Sequence, residues 1–213
     1  MLSVLVSQGL ALGVYAALLG GMAYGRPPTR GRGPGTGPTV AAGGSRGLEA
    51  LWLGSIAVVG LYPILVLLLP SRILAAPWAL GFPADSIVQG IGFLFVLIAA
   101  VLVGWAFRSL GRFATVEIRL SQDHTIVREG PYARIRHPMY TANMLLSFGV
   151  ALTFLSAVML VPFLLIVGLA VMRARNEEAL FRASPELGPS YASYVTETGR
   201  FLPLAACPRR SAP

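Results

Sequence analysis

Three runs, Leu2 to Tyr24, Leu51 to Leu69 and Ile87 to Phe107, contain no charged residue at all. Each is close to the ~20 apolar residues that a helix needs to cross a bilayer. In hydrocarbon, backbone N–H and C=O groups find no water, so such a run must satisfy them internally, as a helix does. A fourth uncharged region, Met139 to Met172, is too long for one span and slightly short for two. It is expected to form a helical hairpin turning near Phe154 to Ser156. Its second arm should continue as helix through Glu177 and Glu178, with Pro162 bending it because proline cannot donate to the helix ladder. The chain is 55% hydrophobic and only 12% charged, which excludes disorder and argues against an ordinary soluble domain.

The sign and place of the charges then set a topology. The formal net charge is +8, and all 17 basic residues are Arg. The first basic residue is Arg26, so the first run lacks the positive leader of a signal peptide and is expected to be a retained helix. With five helices and the N-terminus outside, sixteen arginines are cytoplasmic and only Arg72 is not. A four-helix count would separate the arginines after the third run from those of the tail and lose the asymmetry. The pI near 10.5 could suit nucleic acid, but arginines beside apolar runs are better explained by membrane orientation, so no nucleic-acid partner is expected. Without lysine there is no P-loop, no G-x-G-x-x-G occurs, and the lone Cys207 supports neither disulfide nor metal cluster.

The expected architecture is therefore an all-α integral membrane protein of about five transmembrane helices, multi-pass, with a cytoplasmic pocket. Residues 1–107 hold three helices and a flexible Gly/Pro-rich cytoplasmic loop at 25–47. Residues 108–213 hold the hairpin 139–172 and a cytoplasmic tail. Trp52, Trp78 and Trp105 fall near helix ends, where indoles favour the interface.

Two polar clusters bracket the hairpin: "HTIVREGPYARIRHPMY", 124–140, and "RARNEEALF", 173–181. A hairpin brings its two feet together, so both clusters are expected at one cytoplasmic site. Ile126 and Val127 suggest an extended piece, and Gly130-Pro131 a turn. Pro138 suits the first helical turn, leaving N-terminal amides free to donate to a ligand. Tyr132 and Tyr140 offer faces that attract cations. Arg173 and Glu177, spaced i, i+4, share a helix face. Taken singly, Arg134 and Arg136 are topology determinants, His137 a structural hydrogen bonder, the Glu pair a solvated turn and the tyrosines interface anchors. Their fixed order around a hairpin favours function.

These clusters, with "YASYVTETGRFLP" beyond them, resemble the isoprenylcysteine carboxyl methyltransferase family and the related membrane phospholipid methyltransferases over roughly residues 108 to 203. The resemblance implies an integral membrane methyltransferase using S-adenosylmethionine (SAM) at the cytoplasmic face. It implies that His124, Thr125, Ile126, Val127, Tyr132, His137, Pro138, Met139, Tyr140 and Glu177 bind SAM. Arg173 would meet the acceptor and, with Glu177, carry the reaction; Tyr191 and Tyr194 would lie in a tail closing over the site. The stretch "RASPELGPSY" is about two residues longer than the family's usual spacing. The partner would be a lipophilic or lipid-modified acceptor drawn from the membrane, a prenylcysteine-like carboxylate or a phospholipid amine. Methyl transfer from a sulfonium needs position and water exclusion rather than a metal. Two other readings compete. One is a membrane sterol-type reductase using NADPH, against which the paired acids argue. The other is a non-catalytic protein on the same scaffold.

Overall fold

A computed structural model describes residues 4–25, 40–41, 46–74, 77, 79–80, 85–110, 119–120 and 126–203. Most of the Gly/Pro-rich segment 25–47, together with His124, Thr125 and Trp78, lies outside them. The described chain is helical: α1 (Val4–Tyr24), α2 (Arg46–Leu68), α3 (Pro70–Leu74), α4 (Asp85–Leu110), α5 (Pro138–Thr153), α6 (Leu160–Ala183) and α7 (Gly188–Glu197). Two short strands, β1 (Val40–Ala41) and β2 (Arg119–Leu120), complete it. The three uncharged runs fall in α1, α2 and α4. Four segments are long and apolar enough to cross a membrane: Val4–Tyr24, Gly47–Leu68, Asp85–Leu110 and Ala157–Ala183. Helix α5 has 16 residues, about 24 Å at a rise of 1.5 Å per residue, below the ~30 Å of a hydrocarbon core.

Helix α4 packs against both α1 and α5. Lipid gives apolar helices no hydrophobic reason to associate, so small residues that allow backbones to touch carry the contact. A Cβ on Gly21 of α1 would strike the Ala100 carbonyl of α4, and one on Gly104 would strike the Gly21 carbonyl. On the other side of α4, a Cβ at Gly92 would meet the Thr153 amide, and one at Gly149 would lie 2.8 Å from the Gly92 carbonyl. Small residues one turn apart on α4, Ala100 and Gly104, thus act inside the bundle. Pro63 interrupts the ladder of α2, and Tyr15 of α1 donates to the nearby Gly60 carbonyl.

The connections gather at two ends. Between α1 and α2, β1 pairs antiparallel with β2, which follows α4, matching Val40 with Leu120 and Ala41 with Arg119. At the other end the chain leaves α5 through Phe154, Leu155 and Ser156. Leu155 has a left-handed φ of 49°. The segment before α4 meets this turn: the Leu80 amide donates to the Leu155 carbonyl at 2.6 Å, and Ala79 bridges Ser156. Tyr62 of α2 adds a 2.7 Å bond to the Ser156 hydroxyl. Pro162, expected to bend the second arm, stands in the first turn of α6, where its missing N–H breaks no ladder bond.

Candidate active site

The approach to α5 is shaped by Gly130. Its φ is +59°, and a Cβ there would collide with the Ser109 hydroxyl and crowd the Trp105 indole nitrogen of α4. Only glycine meets both demands. A 3₁₀ turn, Gly130–Ala133, follows and buries Pro131 and Tyr132. Ile126 and Val127 lead into it through irregular, half-buried backbone. Pro138 opens α5, and no side chain caps the helix at His137. The amides just before the helix are taken by the tail. Arg136 N–H donates to the Gly199 carbonyl at 2.8 Å and His137 N–H to the Arg200 carbonyl at 3.1 Å. The Gly199 amide returns a bond to Arg134 at 3.0 Å. The residues just ahead of α5 thus form a short parallel pairing with the tail.

His137, 8% exposed, sits between the two acids of α6. Nδ1 is 3.1 Å from Glu177 Oε2 and Nε2 is 3.4 Å from Glu178 Oε1. Burial lowers the basicity of the ring, but the hydrogen bonds to Glu177 and Glu178 outweigh it, and the pKa rises above 6.5. The imidazole stacks on Tyr140, with ring centroids 5.5 Å apart and planes 16° from parallel. Tyr140 in turn joins α5 to α6. Its hydroxyl donates to Glu177 Oε1 at 2.9 Å and accepts from Arg173 Nε at 3.3 Å.

Glu177 and Glu178 have opposite environments. Glu177 retains 21% of its side-chain surface, whereas Glu178 has none. Glu178 Oε1 receives Arg200 Nε at 2.8 Å and Arg136 Nε at 3.3 Å; Oε2 receives Arg200 Nη2 at 2.7 Å and Arg182 Nη2 at 3.1 Å. Glu178 is therefore enclosed by cations, and of the two acids Glu177 alone has open surface. Arg136, treated in the sequence as a topology determinant, also donates to the Val195 carbonyl at 3.2 Å and to the Thr198 carbonyl. Arg134 stays exposed.

The aromatic residues divide as well. Trp52, expected at the membrane interface, is buried at 5% exposure. It meets Tyr140 edge-on at 5.3 Å, and the Arg173 guanidinium lies 5.5 Å from its ring centre. Tyr140 thus has one face on His137 and an edge-on contact with Trp52. Tyr132 is buried, and its carbonyl accepts from the Tyr194 hydroxyl at 2.7 Å. The tail containing Tyr191 and Tyr194 is helix α7, with both rings buried. Their i, i+3 spacing, behind Gly188-Pro189, was the available signal for this helix. Tyr191 stacks on Phe181 at 5.2 Å, and burial pushes the Tyr194 phenol up to about 12.

Of the residues expected at the site, His137, Tyr140, Arg173 and Glu177 are joined in one network, with Pro138 and Met139 between the first two. Tyr132 contributes its backbone through α7, and no side-chain bond ties Ile126 or Val127 into the network among the described residues. Sequence reasoning missed Trp52, Glu178, Arg136 and Arg200. A network of this kind can hold a planar anion on a guanidinium and a cation near one carboxylate. Comparison with known protein families matches residues 91–183 to the isoprenylcysteine carboxyl methyltransferase (ICMT) family, from within α4 to the end of α6. The matched stretch takes in the apolar segment Ala157–Ala183 and most of Asp85–Leu110, so its likeness is to a family of methyltransferases through a part of the chain rich in long apolar helices. No curated protein matches the chain.

Proposed function

From that family match we propose that the protein is a SAM-dependent methyltransferase acting on a lipophilic acceptor, with its site at the cytoplasmic face. The observation that carries this reading is the meeting of His137, Tyr140, Arg173 and Glu177 at the shared end of α5 and α6. SAM would lie against His124 to Val127, Tyr132 and His137 to Tyr140, its positive sulfonium toward the open carboxylate of Glu177. Arg173, its guanidinium over the Trp52 ring, would turn its donors toward the acceptor. Displacement at the sulfonium methyl has a good leaving group, so these residues supply orientation and exclude water.

Five crossings fit this reading, with α5 as the shortest. The pairing of β1 with β2 supports one side for the first and third connections, and the Ala79–Ser156 bridge supports the other side for the second connection and the α5–α6 turn. Arginine placement makes the first of these sides cytoplasmic. The acceptor would then enter from the bilayer and SAM from the water.

The deciding experiment incubates purified protein in lipid nanodiscs with methyl-labelled SAM and either a farnesylated cysteine or extracted phospholipids. Label in the organic phase, lost in Glu177→Ala, is the expected result. Binding of labelled NADPH with no binding of SAM would overturn it.

A further inference from the structure

Glu178 has no part in the functional reading above, yet among the described residues it is the most heavily bonded side chain of the region. A buried carboxylate costs several kcal/mol unless paired and hydrogen-bonded. Here one carboxylate collects three guanidinium groups and an imidazole. Arg200 matters most, because it grips from both ends. Its guanidinium forks onto both oxygens of Glu178 at 2.8 and 2.7 Å, while its carbonyl accepts the His137 amide. Glu178 and the Arg200 guanidinium attract strongly enough to raise the arginine's pKa, chiefly through that hydrogen bond. Arg136 ties the same segment by its hydrogen bonds to the Val195 and Thr198 carbonyls. Thr141 completes the attachment, its hydroxyl donating to the Phe201 carbonyl at 2.8 Å.

We propose that Glu178 is a positioning residue, which latches the segment 198–201 onto the start of α5 and thereby fixes the His137 ring and, through it, Glu177. Removing its charge leaves Arg136 and Arg200 facing each other across an uncompensated gap. The segment then leaves, the His137 amide loses its acceptor, and the imidazole loses one of its two carboxylates. The effect on cofactor binding rests on the methyltransferase reading; the latch does not.

The test compares wild type, Glu178→Gln, Glu178→Asp and Arg200→Gln in nanodiscs, by hydrogen exchange at the Gly199 and His137 amides and by separate KM and kcat values. Glu178→Gln should speed exchange at both amides and raise the SAM KM by about tenfold, the size expected for one charge-assisted bond, with a smaller change in kcat. Glu178→Asp keeps the charge and should recover part of both. Wild-type exchange and wild-type KM in Glu178→Gln would overturn the latch. Should Glu178→Gln fail to fold, Arg200→Gln breaks the same fork from the tail side, and unchanged exchange there would overturn it equally. If wild type transfers no methyl group, the functional reading falls and the exchange data alone judge the latch.

Discussion

The hydroxyl of Tyr140 donates to Glu177 at 2.9 Å, so the acid at the centre of the site is held by a ring from the facing helix. The same oxygen accepts from Arg173. Tyr140→Phe removes one atom and severs both links while keeping the stack on His137. We expect the KM for SAM to rise about tenfold or more, the worth of a hydrogen bond to a charged group. Steady-state kinetics in nanodiscs would check it, and an unchanged KM would remove Tyr140 from the site.

Arg173→Lys keeps the charge and loses both the planar fork and the guanidinium placed 5.5 Å from the Trp52 ring centre. The acceptor KM should rise by at least about tenfold, with the SAM dissociation constant unchanged. Trp52→Ala should move the acceptor KM in the same direction by a smaller factor. A change in SAM affinity alone, measured by calorimetry, would contradict the assignment.

His137 makes stability depend on pH. Its folded pKa is raised above 6.5, because the bonds to Glu177 and Glu178 outweigh burial. Its contribution is then complete below the unfolded value and lost as pH rises through the folded one. The gap in Tm between wild type and His137→Gln should therefore narrow on going from about pH 6 to pH 9. A gap that widens over that interval would mean the ring is held neutral.

Gly104→Leu should destabilise the bundle by about 1–3 kcal/mol or more, since a side chain there meets backbone rather than a movable tip. Gly54→Leu, where nothing lies within 4 Å, is the matched control. Thermal unfolding in detergent would separate them, and equal Tm values would discount the backbone contact between α1 and α4.

Topology can be read with thiol probes in a Cys207→Ser background. Ala192→Cys on α7 should react with an impermeant maleimide only after cells are opened. Val158→Cys, 39% exposed beyond the α5–α6 turn, should react in intact cells. Labelling of both from the same side would refute five crossings.

Much of the helical layout was legible because charge-free runs leave few alternatives in lipid, and α1, α2 and α4 contain the three such runs. The small-residue contacts were harder: Gly21, Gly104, Gly92 and Gly149 look like any glycines until their partner helices are known. Within the site, Arg173 and Glu177 were readable from one-turn spacing on a single helix. Trp52 was not, because its distance from Arg173 along the chain hides a contact that only the fold of α2 creates. Nor was the difference between Glu177 and Glu178. Adjacent acids point to different sides of a helix, and which side meets Arg136 and Arg200 depends on a segment returning from beyond α7. The positive φ of Leu155 has no marker in Phe-Leu-Ser.

The grip of Arg200 on α6 joins the end of the described chain to residues made much earlier. The helices α1, α2 and α4 are complete long before Arg200 is made, but the bonds around Glu178 cannot close until it is in place. A chain stopping short of residue 200 would therefore carry its four long apolar segments yet leave the Glu178 carboxylate without its two-pronged partner.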